Sequence, residues 1–174
     1  FTVVDKAKAE AVMAEFVEAT RKEKGCVYYG WQLSEDGTKL RCVEAYDSGE
    51  AVNAHLENVG PCIGKILADG VCKMDSIDIM GPAAELETVK PGTKDLGTTY
   101  YPTHSGFDNF ASSTGGSEGP YTLVVIQPYF SVLNKKKAEA VMSEFVEATR
   151  KEKGCIYYGW QLSEDGTKLR CVEA

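Results

Sequence analysis

Long apolar runs are missing from this chain: no stretch approaches the ~18 residues that a bilayer crossing needs, so none of it reads as a membrane span. Basic residues are the minority, 19 Lys and Arg against 26 Asp and Glu for a net charge of −7, and they are scattered among the acids. The electrostatic footprint that nucleic acid or an anionic membrane surface requires is therefore absent. Histidine occurs twice, as His55 and His104, and no two cysteines form Cys-x-x-Cys, so the spacing of a zinc or iron–sulfur site is missing. The chain also lacks a Gly-x-x-x-x-Gly-Lys-Ser/Thr phosphate loop, a Gly-x-Ser-x-Gly elbow and a His-Glu-x-x-His helix, and no nucleotide site is readable.

What is present is a repeat. Phe1–Ala45 aligns with Phe130–Ala174 at an offset of 129, with 39 of 45 positions identical. Five of the six exchanges preserve size or shape, so both copies are expected to make the same local structure. Of the 174 residues, 1–101 read as one complete module with a truncated first strand, 102–120 as a Ser/Gly-rich linker that includes Ser112–Gly119, and 121–174 as the first half of a second module. The chain is expected to be a window on a longer tandem array. The six cysteines are four positions, Cys26, Cys42, Cys62 and Cys72, with Cys155 and Cys171 repeating the first two. Apolar neighbours make each a small buried hydrophobe, which fits a reducing compartment such as the cytosol or an organelle interior.

Within the module, Phe1–Val4 ends a strand, and Val12, Met13, Phe16, Val17 and Thr20 place one apolar stripe on a helix over Lys6–Lys24 that Gly25 stops. Two β-rich runs, Cys26–Leu33 and Leu40–Tyr46, flank Asp36-Gly37, the signal of a two-residue type I′ hairpin. Asp47 or Ser48 caps a second helix, with Glu50 set for a capping box, and Pro61 opens a short third helix that Gly70 ends. Val71–Met80 reads as a bulged strand and Ala83–Lys90 as a helix broken at Pro91; the second copy's first strand begins near Pro128. The order β-α-β-β-α-α-β predicts an α+β, four-stranded antiparallel sheet with helices on one face, which leaves the other face needing a partner.

If Asp36 and Gly37 form the turn, Trp31 opposes Cys42, Tyr29 opposes Glu44, Leu33 opposes Leu40 and Val27 opposes Tyr46, and all eight share one face. Glu44 on that apolar, aromatic face is either a carboxyl raised toward general-acid range or a glutamate bonded to Tyr29 or a backbone amide for structural reasons. His55 shares a helix side with Ala51 and Val59; it is either the base of a site or a packed, hydrogen-bonded histidine.

The blocks Gly25-Cys-Val-Tyr-Tyr-Gly30, Cys42-Val-Glu-Ala-Tyr-Asp-Ser48, His55-Leu-Glu-Asn-Val-Gly-Pro61 and Gly81-Pro-Ala-Ala-Glu-Leu-Glu87 resemble the antibiotic biosynthesis monooxygenase-like family of the dimeric α/β-barrel, ferredoxin-like superfamily. The resemblance covers about residues 1–101 and starts again over 121–174. It implies sheets paired face to face, as a homodimer or between modules of one chain, with a small apolar pocket between sheet and helices. It also implies oxidation of quinols or polyketide-like phenols by O₂ without metal, flavin or other cofactor. On that reading His55 and Glu44 are the catalytic candidates, and Tyr29, Trp31, Cys42, Tyr46 and Asn58 line the substrate. The heme-degrading branch is not matched, because its first-strand Asn has no counterpart in Phe1-Thr-Val-Val. Two functions are expected to compete. One is binding of a small aromatic or quinone-like molecule, with cofactor-independent monooxygenation. The other is non-catalytic assembly of repeated modules, as a polyprotein or as a soluble peripheral subunit of a larger complex.

Overall fold

The computed structural model describes residues 1–108 and 125–174, which fall into two compact units. The first contains Phe1–Ile77 and Ala84–Thr98. Its strands are β1 (Thr2–Val3), β2 (Cys26–Leu33), β3 (Leu40–Tyr46) and β4 (Cys72–Lys73), and its helices are α1 (Lys6–Thr20), α2 (Gly49–Ile66) and α3 (Ala83–Thr93). Antiparallel pairs β1–β4 and β2–β3 are tied together by a bridge from Thr2 to Lys39 and by the Leu40 N–H donating to the Phe1 carbonyl at 3.0 Å. The resulting order, β4-β1-β3-β2, is the expected ferredoxin-like α+β arrangement. Its core joins Val12 and Phe16 of α1 to Val59, Cys62 and Ile66 of α2 and to Leu40, Val71 and Cys72.

Both helices depart from their expected bounds. Asp5 caps α1 by accepting from the Lys8 N–H at 3.1 Å, but the helix ends at Thr20, because the Glu23 N–H turns back to the Thr20 carbonyl at 2.9 Å. Ser48 caps α2 through the Ala51 N–H at 3.2 Å; the capping box with Asp47 and Glu50 does not form, and Glu85 accepts from the Gly49 N–H at 2.7 Å instead. The helix expected to begin at Pro61 is a continuation of α2. Buried His55, Val59, Cys62 and Ile66 keep one phase across the proline. Burying each apolar member is worth roughly 1.5–3 kcal/mol, and together they exceed the ~3 kcal/mol that an interior proline costs. For the same reason α3 passes Pro91 and ends at Thr93, with Leu86, Val89 and Thr93 buried.

The second unit contains Asp78–Ala83 and Thr99–Ala174. Strands β5 (Asp78–Gly81), β6 (Thr99–Asp108), β7 (Tyr129–Ser131), β8 (Tyr157–Leu162) and β9 (Lys168–Glu173) form one sheet in the order β5-β6-β8-β9-β7, with helix α4 (Lys135–Thr149). Only β5–β6 is parallel. The expected bulged strand over Val71–Met80 is thus two strands in two sheets, and its change of apolar phase marks where the chain leaves one sheet for the other. Residues 102–108, expected as linker, extend β6; the Ser112–Gly119 tract lies outside the described residues.

The repeated sequence repeats its local structure. Helix α4 spans the counterparts of α1, Asn134 replaces Asp5 as its cap, and Trp160 Nε1 donates to Tyr158 Oη at 3.2 Å as Trp31 Nε1 does to Tyr29 Oη.

Candidate active site

The β2–β3 hairpin sets one wall of the site. Trp31 pairs with Cys42, Tyr29 with Glu44 and Leu33 with Leu40, as the alternation predicts. The turn is not type I′: Gly37 alone has positive φ, at 71°, and the Ser34 N–H pairs with the Lys39 carbonyl across a four-residue loop. Asp36 accepts from Ser34 Oγ and from the Thr38 N–H, which holds its carboxyl down at about 2. Farther along, a bulge between Cys26 and Tyr28 puts Cys26, not Val27, opposite Tyr46, and Val27 is exposed. The bulge removes Val27 from the face and leaves Tyr29, Glu44 and Tyr46 facing α2.

From α2, His55 projects at the polar end of the Val59–Cys62–Ile66 stripe and is 4% exposed. Its two ring nitrogens meet carboxylates on opposite sides. Nδ1 lies 3.0 and 3.1 Å from the oxygens of Glu23, and Nε2 lies 3.2 Å from Glu44 Oε2. The ring is flanked by Tyr29 and Tyr46, at 5.6 and 5.1 Å between centroids. Burial is the largest single influence on the imidazole and pushes its pKa down, but the hydrogen bonds and charges of Glu44 and then Glu23 outweigh it, and the net shift is upward. The two carboxylates thus favour the imidazolium more than water does.

The carboxylates differ in access. Glu23 is 15% exposed and Glu44 is 38% exposed. Glu23 is pinned by Asn58, whose Nδ2 donates to Glu23 Oε1 at 2.6 Å and to the Ala19 carbonyl at 3.2 Å. Glu44 accepts from Tyr46 Oη at 2.8 Å and opens toward solvent. Burial first, and then the Glu44 charge, push the Tyr46 phenol well above its ordinary range; burial, Cys42 and Glu44 do the same to Tyr29. The Cys26 thiol is pushed up to about 11 by burial and by both glutamates, and Cys42 is raised by burial and Glu44.

Of the residues singled out from sequence, His55, Glu44, Tyr29, Tyr46 and Asn58 converge on this cluster. Trp31 stands one step back, between Phe1 and Phe16 at 5.8 and 5.2 Å, and reaches the cluster only through its bond to Tyr29; Cys42 is its cross-strand partner. His104 belongs to the second unit, 3.7 Å from Glu139. Sequence reasoning missed Glu23. It stands in the charged run Arg21-Lys-Glu-Lys24, which reads as solvated surface, and only the shortness of the five-residue connection from α1 to the hairpin aims it inward. Among the described residues, no His, Cys, Asp and Glu group is arranged to hold a metal.

The model of the antibiotic biosynthesis monooxygenase family matches residues 5–59, a span that runs from the α1 cap past His55 and holds every member of the cluster. Residues 5–59 are thus similar to an antibiotic biosynthesis monooxygenase domain. The family includes monooxygenases and small-molecule binders. A solved structure, MupZ from Pseudomonas fluorescens, is similar to this chain, with 25% identity, a TM-score of 0.52, and coverage of 57% of this chain and 78% of its own. No curated protein matches the chain. No helix among the described residues is long and apolar enough to cross a membrane.

Proposed function

We propose that this antibiotic biosynthesis monooxygenase domain binds a small aromatic or quinone-like molecule beside Glu44 and oxidises it as a cofactor-independent monooxygenase. The observation that carries the reading is the asymmetric trio Glu23–His55–Glu44, closed at Glu23 and open at Glu44. A phenol or enolisable carbonyl that approaches Glu44 exchanges hydrogen bonds with the Tyr46 hydroxyl and gives its proton to the carboxylate. His55, drawn toward its protonated form by Glu44 and Glu23, the latter pinned by Asn58, stabilises the anion that forms, while Tyr29 and Tyr46 supply aromatic walls. The substrate anion is the electron donor to O₂: a ring CH₂ becomes C=O, one oxygen atom is incorporated and the other leaves as water, so the step balances without an external reductant. Pairing of the open sheet face with that of another copy completes the enclosure.

The test is oxygen uptake with a panel of quinol and polyketide-like phenol probes, read beside ligand-detected NMR. Turnover that falls at least a hundredfold in Glu44→Gln and His55→Ala, both still folded, supports the reading; binding or turnover indifferent to both overturns it.

A second reading has an observation of its own. Both His55 nitrogens are engaged and the ring is buried, which suits a structural histidine in a non-catalytic assembly module that acts as a soluble peripheral subunit. On that reading His55→Ala loosens the fold, no probe binds, and the protein isolated from its source travels with a larger complex.

A further inference from the structure

The two carboxylates of the His55 cluster are held unequally, and the inequality decides which ring nitrogen keeps its proton. Both oxygens of Glu23 lie close to Nδ1, at 3.0 and 3.1 Å, whereas Glu44 reaches Nε2 through Oε2 alone, at 3.2 Å. Glu23 is fixed a second time by Asn58, which ties it to the Ala19 carbonyl in the last turn of α1. The two Nδ2 hydrogens of Asn58 are thereby spent within the protein.

A doubly protonated ring serves both carboxylates, but a neutral ring carries one N–H and must leave one of them. The costs of leaving differ. Glu44 is 38% exposed and already accepts from Tyr46 Oη, so water and a phenol replace the donor it loses. Glu23 is 15% exposed, and without the Nδ1 proton a covered carboxylate would face a ring lone pair. The other titratable groups of the cluster stay neutral through the same range. Tyr29 on β2 and Tyr46 on β3 are pushed well above the ordinary phenol range by burial, and the Cys26 thiol is pushed up to about 11.

We propose that Glu23 and Asn58 are positioning residues that lock His55 in its Nδ1–H form when the ring loses a proton, so that Nε2 becomes a bare lone pair on the open, Glu44 side of the site. There the ring is a base. A hydroxyl that enters beside Nε2 donates to it; the O–H bond breaks, the N–H bond forms, the electron pair stays on oxygen, and the restored imidazolium has Glu23 as its counter-charge. Glu44, facing a lone pair, keeps Tyr46 as its donor and turns toward water. The site thus has two proton acceptors that alternate with pH: Glu44 while the ring is charged, and Nε2 once it is neutral. Which molecule gives the proton rests on the small-molecule reading above; the tautomer does not.

The experiment is long-range 1H–15N correlation NMR of the whole chain, labelled at histidine, over a pH series. The chain has two histidines, and His104→Gln identifies the signals of His55. Once the ring is neutral, the Nδ1–H form should exceed the Nε2–H form roughly tenfold, the reverse of the preference of free histidine. Asn58 is exposed, so Asn58→Ala leaves the core in place and should bring the two forms toward parity. Glu23→Gln should invert the preference, because Glu44 is then the carboxylate that remains, and Glu44→Gln should keep it. Circular dichroism confirms that each variant is folded. Four results would overturn the proposal: no excess of the Nδ1–H form in the parent chain, an excess that either Asn58→Ala or Glu23→Gln leaves unchanged, an excess lost in Glu44→Gln, or a ring still doubly protonated when alkali unfolds the chain. No turnover enters the measurement, so the tautomer is decided even where every oxidation probe fails.

Discussion

At the scale of single residues, His55 joins stability to pH. Its folded pKa is raised, so the stabilisation it gives is fully present below the ordinary histidine value of about 6.5 and is lost as pH rises through the folded value. The first unit should therefore unfold at lower denaturant as pH climbs through and above neutrality, and Glu23→Gln should flatten that slope; urea titrations at a series of pH values measure both. His55→Ala removes a buried ring and leaves Glu23 and Glu44 facing an unfilled space, at an expected cost of about 3 kcal/mol by chemical denaturation. Loss of turnover in that variant alone would be ambiguous, whereas Glu44→Gln keeps the shape of the more exposed carboxylate, and its denaturation curve beside its turnover separates chemistry from folding.

At the scale of elements, the contact of β2 with α2 is set by a missing side chain. Gly25→Ala drives a methyl to 2.4 Å from the Ala51 Cβ and should lower the stability of the first unit by 1–3 kcal/mol, roughly. The same change at Gly154 should be nearly silent in the thermal melt. Pro61→Ala restores a helix N–H inside α2 and should raise stability by up to about 3 kcal/mol, visible in the same melts.

Much of this layer was legible in the sequence. Alternation along the hairpin gave the register from Tyr29 to Leu33, and the i, i+4 spacing of α2 put His55 on the side of Val59. Local rules failed where a distant contact outweighed them. Pro61 and Pro91 look like boundaries until the stripes that run past them are buried, and the Cys26–Tyr28 bulge, which displaced Val27, depends on how the strand leaves the turn after α1. Glu23 was invisible because its role comes from a histidine 32 residues away. Residues 102–108 of β6 read as linker because their Pro, Ser and Gly favour loops, while the antiparallel partner of this part of the strand, β8, begins some fifty residues later.

At the scale of the molecule, near-identical sequence does not mean equivalent energetics. Arg170 is 4% exposed, is 2.7 Å from Asp78 and lies 4.0 Å over the Tyr129 ring, whereas its counterpart Arg41 is exposed. Arg170→Ala should cost about 3–5 kcal/mol by stranding the Asp78 carboxylate, and Arg41→Ala about 0.5 or less; parallel denaturation of the two variants makes the comparison.

Strands β5 and β6 precede the repeat in sequence but build the sheet of the second unit, and the chain passes from one unit to the other at 77–78, 83–84 and 98–99. Scission between the repeats would then not liberate two free beads. A cut introduced between 109 and 124 should yield halves that stay hydrogen-bonded through β6 and β8, travel as one species in gel filtration and part only in denaturant. Cleavage there would make a nicked heterodimer whose two pieces share one sheet.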